Sequence, residues 1–159
     1  MSSRNTARPL GLILGVTLGL AAIGGAAVAA VSAEKVIAER QKGLKAMGGA
    51  FKTINDNLKT DAPDTKLIAA QAKIIRTDAH KIPRWFPTGS GAESGFKTAA
   101  RPEIWTDPAK FAAAAKGLQV ESAKLEVVAK AGNVDAIKAQ VRATGGACGT
   151  CHTPFRVKS

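Results

Sequence analysis

Ile68, Ile75 and Ile82 stand seven residues apart, and the same spacing returns at Ile104, Phe111, Leu118 and Leu125. An apolar residue at every second turn keeps one stripe of a helix facing the same neighbour along its length, a pattern suited to helices that cross at shallow angles. Two further segments carry stripes stepped by threes and fours. One reads Ile37, Arg40, Leu44, Met47, Phe51, Ile54 and Leu58; the other reads Val134, Ile137, Val141, Thr144, Cys148, Cys151 and Phe155. Strand alternation is almost absent. Four such stripes in 159 residues predict an all-α fold, an antiparallel four-helix bundle around one core.

The punctuation between the stripes agrees. Asp61-Ala62-Pro63 opens the second helix, Asp107-Pro108 caps and starts the third, and Gly132-Asn133 parts the third from the fourth. Pro83 to Pro102 is a longer crossing loop and the connection expected to carry function.

Ahead of the bundle, Arg4 and Arg8 precede an uncharged run from Pro9 to Ala33 that ends in small residues. This is the layout of a secretory signal peptide, with Ala27-Val28-Ala29 and Val31-Ser32-Ala33 as cleavage sequences. The expected division is a leader over residues 1–33, cut after Ala29, Ala30 or Ala33, and a bundle domain over 34–159. An uncleaved anchor is the rival, since Leu10 to Val31 could just span a bilayer. Export would place the domain in the periplasm. The chain carries a net charge of +11, and loss of the leader removes only Arg4 and Arg8, so the mature domain keeps +9. Outside the cytoplasm nucleic acid is not the expected partner; an anionic protein or membrane surface is, and a solvated basic surface is the plain alternative.

The only two cysteines lie in Cys148-Gly149-Thr150-Cys151-His152, the C-x-x-C-H haem attachment pattern. Each thiol can form a thioether with a haem vinyl group, and the adjacent imidazole of His152 can then ligate the iron. Positions i, i+3 and i+4 share one helix face, so the three side chains point the same way. A thioredoxin-like centre would need a βαβ context. A structural zinc would need four ligands, and only His80 remains, while a plain disulfide leaves His152 unexplained. One covalently attached haem c near the C-terminus is the reading.

Arg40 interrupts an apolar stripe, where a cation is costly to bury unless paired; a haem propionate would suit it, and a guanidinium snorkelling at the bundle edge is the alternative. For a sixth iron ligand the domain offers Met47 and His80. Met47 sits on the stripe with Phe51 and Ile54 and reads as core filling, and His80 reads as a surface residue at a helix end. That leaves Leu44, one turn after Arg40, as a hydrocarbon cover over the distal face. Ordinary core packing of Leu44 is the alternative.

With these residues in view the chain resembles cytochrome c prime, a family of exported four-helix-bundle haem proteins. The resemblance spans the mature chain. It rests on Cys148 to His152, on Arg40-Gln41-Lys42-Gly43-Leu44-Lys45-Ala46-Met47, and on Ala100-Arg101-Pro102-Glu103-Ile104-Trp105-Thr106-Asp107. It implies that Cys148 and Cys151 hold the haem and that His152 is the proximal ligand. Arg40 and Gln41 would contact the haem or its propionates, and Leu44 would take the distal position. Arg156 matches a basic residue beside the proximal pocket that is thought to steer nitric oxide, although Pro154 between it and His152 must kink or end the helix. Family members are often homodimers packed through their first two helices, where Gly43, Ala46, Gly48, Gly49 and Ala50 would allow close approach.

The expected function is that of a periplasmic haem protein with five-coordinate, high-spin iron that binds nitric oxide or carbon monoxide and exchanges single electrons with a redox partner protein, an anionic one suiting the basic charge. A low-spin, six-coordinate electron carrier of the same fold is the alternative. No acid or base is forced to the distal side, so an enzymatic role such as nitric oxide reduction or peroxidation ranks last.

Overall fold

The computed structural model describes residues 24–158. Its helices are α1 (Gly24–Asn57), α2 (Thr65–Ala79), α3 (Glu103–Thr106), α4 (Pro108–Ala131) and α5 (Val134–Phe155), with two 3-10 turns at Ile82–Trp85 and Ala92–Ser94. The four long helices are the expected bundle. Most of the expected leader, residues 1–33, lies outside the described residues, and no described helix is long and apolar enough to cross a membrane.

Local chemistry sets the boundaries. Asp64 caps α2 by accepting from the amides of Lys66 and Leu67, so the helix opens a turn later than Asp61-Ala62-Pro63 suggests. Asp107 and Asn133 cap α4 and α5, and Gly132, at φ 77°, ends α4 in the left-handed conformation that glycine adopts without strain. The third stripe is split. Ile104 belongs to the four-residue α3, because Asp107 leaves the helical conformation before Pro108 starts α4. Likewise Ile82 lies beyond α2 in a 3-10 turn; all three isoleucines of that stripe are nonetheless buried.

The core has two parts. Met47, Ala79, Ile82, Trp85, Ile104, Phe111, Leu118 and Phe155 fill one half of the bundle. Ile54, Ile68, Ile75, Leu125, Ile137 and Val141 fill the other. α1 packs on α2, α2 on α4 and α4 on α5, whereas α1 and α5 make no comparably close backbone approach. Phe51 of α1 reaches across that open edge to Gly145 of α5, where a Cβ would stand 3.2 Å from its Cζ.

Glu126, 3% exposed, is held between Lys130 and Arg76 at 2.6 Å each, linking α4 to α2. The hydrogen bond from Lys130 first, then that from Arg76, lowers its pKa below the ordinary glutamate value. A depressed carboxylate pKa stabilises the fold above the unfolded value near 4.3 and loses that contribution as pH falls through the lower folded value. The Glu126→Gln variant should therefore melt below the parent at pH 7, and the gap should close as pH drops below about 4. Melting curves recorded across that range check it; a gap independent of pH would contradict it.

Candidate haem site

Cys148 and Cys151 lie on the inner side of α5, half-buried against the Met47–Phe155 half of the core. Burial raises both thiol pKa values. That of Cys151 is pushed to about 11, by burial first and by neighbouring Cys148 second. Thr150 and Thr153 face solvent and donate to the carbonyls of Gly146 and Gly149, so the hydroxyls are satisfied without leaving the helix. His152 is exposed at its surface but partly desolvated by the surrounding chain. That loss of solvation first, and the charge of Arg156 second, lower its pKa, which favours the neutral imidazole that metal ligation requires.

The last turn is anchored from two directions. Phe155 is buried and meets Phe111 edge-on at 5.3 Å between centroids, and Phe111 meets Phe86 at 5.0 Å. α5 runs through Pro154 and stops one residue later, so the missing amide costs one hydrogen bond in a helix already ending. Arg156 then turns extended while its amide still donates to the carbonyl of His152 at 3.2 Å. Ala100 and Arg156 pair antiparallel: the amide of Arg101 donates to Phe155 and that of Val157 to Ala99, at 3.0 and 2.9 Å. The crossing loop thus clips the end of the helix that bears the attachment motif.

Across the open edge, Arg40 is 2% exposed, which excludes the snorkelling alternative. Its Nη1 donates to Ser90 Oγ at 2.9 Å and, at 3.5 Å, to the carbonyl of Trp85; its Nη2 donates to Thr98 Oγ1 at 2.6 Å. The guanidinium lies 4.8 Å from the ring centroid of Phe86. Every one of these partners is neutral. Among the described residues no carboxylate stands within ion-pair distance of Arg40. Desolvation lowers its pKa, against a weaker opposing pull from Glu93, yet an arginine this far from its titration range stays charged. A buried cation with only neutral partners leaves its charge unbalanced within the chain, and a bound anion would offset it.

Gln41 is exposed and donates to the carbonyl of Lys97 at 2.9 Å, a second tie between α1 and the crossing loop. Leu44 is half-buried against the same core half as the two cysteines. Met47 is buried in that half, and His80 is an exposed residue closing α2. The sequence reading missed Trp85, Ser90 and Thr98. Trp85 lies in the crossing loop already marked as functional, but nothing in the sequence signals the two hydroxyls. Gly43 also takes a different role from the one expected of it. A Cβ there would stand 2.2 Å from Cη2 of Trp85, so this glycine is the seat of the chain's own indole. Ala50, 3% exposed, is likewise used inside the chain, while Ala46, Gly48 and Gly49 remain exposed.

An open edge between α1 and α5, a pair of inward thiols followed by a neutral imidazole, and a buried cation without an anion all fit a covalently bound haem. The family model for cytochrome c' matches residues 35–156. The chain belongs to this family. Cytochrome c' of Rhodopseudomonas palustris is 35% identical over 81% of this chain and 86% of its own length. Cytochrome c-556 of Agrobacterium tumefaciens is 30% identical over 77% and 97%. Among solved structures, cytochrome c' of Rubrivivax gelatinosus superposes with a TM-score of 0.70 at 32% identity, covering 77% of this chain and 94% of that one. A nitric oxide complex of a cytochrome c prime variant from Alcaligenes xylosoxidans gives 0.72 at 29% identity, covering 80% and 97%. As a cytochrome c' the chain carries one covalently attached haem c, and Cys148 and Cys151 fit its attachment motif.

Proposed function

We propose that this cytochrome c' is a periplasmic protein whose iron is five-coordinate beneath Leu44, that it binds nitric oxide and carbon monoxide, and that it exchanges single electrons with a partner protein. Catalysis is not part of this reading. The observation that carries it is Leu44, half-buried beside the open α1–α5 edge where a distal ligand would otherwise stand. Solved relatives named as nitric oxide and carbon monoxide complexes support the gas-binding part, and the cationic start and small-residue end of residues 1–33 support export.

The bound haem supplies an iron centre able to change charge by one electron and to take a small axial ligand. The remaining work belongs to the chain. Cys148 and Cys151 hold the macrocycle by two thioethers. His152, kept neutral, presents a ring nitrogen from one side. Arg40 meets a propionate, and through Ser90, Thr98 and the Trp85 carbonyl it ties that contact to the crossing loop. Gln41 steadies the same loop from the surface. Leu44 excludes water from the distal side and offers no hydrogen bond, which disfavours polar bound dioxygen relative to nitric oxide and carbon monoxide. Arg156, close enough to lower the pKa of His152, is placed to bias events on the proximal side. A homodimer through α1 and α2 is part of the proposal; Ala46, Gly48, Gly49, Leu67 and Ile74 are exposed there.

Met47 supports a second reading, since it is buried one turn after Leu44 and carries a thioether that could make the iron six-coordinate and low-spin. Electron paramagnetic resonance of the oxidised holoprotein separates the two. The parent should show a high-spin signal that Met47→Leu leaves unaltered. A low-spin signal in the parent, lost in that variant, would establish Met47 as the ligand and overturn the open-site proposal.

A further inference from the structure

Charge is unevenly spread over the bundle. The half built around the Met47–Phe155 core, residues 34–47, 78–118 and 143–158, carries twelve basic and six acidic side chains; residues 48–77 and 119–142 carry nine and six. The pairing differs more. Five of the nine cations in the second group, Lys52, Lys59, Arg76, Lys124 and Lys130, are engaged by carboxylates. Among the described residues, only Lys81 and Arg101 of the twelve in the first group are.

The backbone clip gathers several unpaired cations at one place. Ala100 pairs with Arg156, Val157 donates to Ala99, and Gln41 binds the carbonyl of Lys97. Lys97, Arg156 and Lys158 are therefore close along the paired backbone and all exposed, and Val157, between the last two in sequence, is 52% exposed. Glu93, four residues before Lys97, accepts from the amide of Gly91 at 3.0 Å, and Glu103 is taken by Arg101 at 2.5 Å. The patch adjoins the end of α5, four to six residues from His152.

We propose that this surface is where the protein docks an acidic redox protein, an inference that rests on the electron-transfer part of the function above. An exposed apolar residue flanked by exposed cations suits a protein–protein contact, in which an apolar centre is bordered by a polar rim. The cations steer an anionic face and fix its orientation. One valine is too little apolar surface to insert into a bilayer, which favours a protein over a membrane. In the exchange one electron leaves the ferrous centre, which becomes ferric, and reduces the partner's oxidised centre by one; no bond or proton moves.

The test uses the holoprotein and two anionic probes. Hexacyanochromate(III), paramagnetic and redox-inert here, should broaden the amide resonances of Lys97, Ala99 to Arg101 and Arg156 to Lys158 before those of α2. Oxidation of the ferrous protein by hexacyanoferrate(III) at low ionic strength should slow about threefold or more in Lys97→Glu/Lys158→Glu. The control Lys66→Glu/Lys73→Glu, with the same change in net charge on the other half of the bundle, should slow it much less. Evenly spread broadening with equal slowing in both double variants would overturn the patch while leaving electron transfer intact. Failure to react with hexacyanoferrate at all would instead overturn the electron-transfer reading, whatever the broadening map showed. Sedimentation with phosphatidylglycerol vesicles that depends on Lys97 and Lys158 would reassign the surface to a membrane and overturn the protein partner.

Discussion

Leu44→Ala should bind carbon monoxide roughly 30-fold more tightly than the parent. With Leu44 over the iron as proposed, a ligand would reach the distal side only if Leu44 gave up part of its packing against the core half that also holds Cys148 and Cys151. Displacing a half-buried leucine forfeits about 2 kcal/mol, the low end of the cost of removing one from a core, and that corresponds to roughly a 30-fold loss in affinity. Alanine lifts the cost because no side chain remains to be moved. Carbon monoxide titration of the reduced protein, monitored by its absorption, gives both constants. Equal affinities would mean that Leu44 does not stand over the iron.

Two glycines of the same helix should respond in opposite directions. Gly43→Val should lower the melting temperature of the holoprotein by roughly 8 °C, because the new side chain meets the indole of Trp85 from 2.2 Å outward. Trp85 is 5% exposed and cannot simply swing into solvent, so overpacking of about 2 kcal/mol is expected. The damage should spread to the site, since the carbonyl of Trp85 accepts from Arg40. Gly48→Ala meets nothing within 4 Å in its own chain and, measured on the monomer, should instead stabilise it by about 0.5–1 kcal/mol through helix propensity. Thermal unfolding of both variants beside the parent checks the pair. A neutral Gly43→Val would show that the indole is not confined there.

These two predictions mark where sequence stops being informative. Heptad spacing is local and repetitive, so the four bundle helices could be read from it, and the attachment motif is a contiguous string whose chemistry leaves few alternatives. Arg40 could be singled out because a cation on an apolar stripe conflicts with its surroundings. Its hydroxyl partners could not, because Ser90 and Thr98 lie fifty and fifty-eight residues away in a loop without periodicity. The seat of Trp85 on Gly43 has the same cause: a glycine in a helix says that space is needed, not which residue needs it. The clip between Ala100 and Arg156 is a single antiparallel bridge, too short to leave an alternating pattern. Pro154 was legible as a disturbance, but the path of the chain after it depends on that bridge and on Phe155 locking against Phe111. The residues that carry the chemistry were thus readable, and the loop contacts that hold them in place were not.

An open iron position covered only by Leu44 is the core of the function proposed for this cytochrome c'. It is tested most directly by the absorption spectrum of the reduced protein before and after exposure to carbon monoxide or nitric oxide. Broad high-spin bands that shift sharply on adding either gas are the expected result. Narrow low-spin bands that neither gas alters would mean that the sixth position is already filled, and would contradict it.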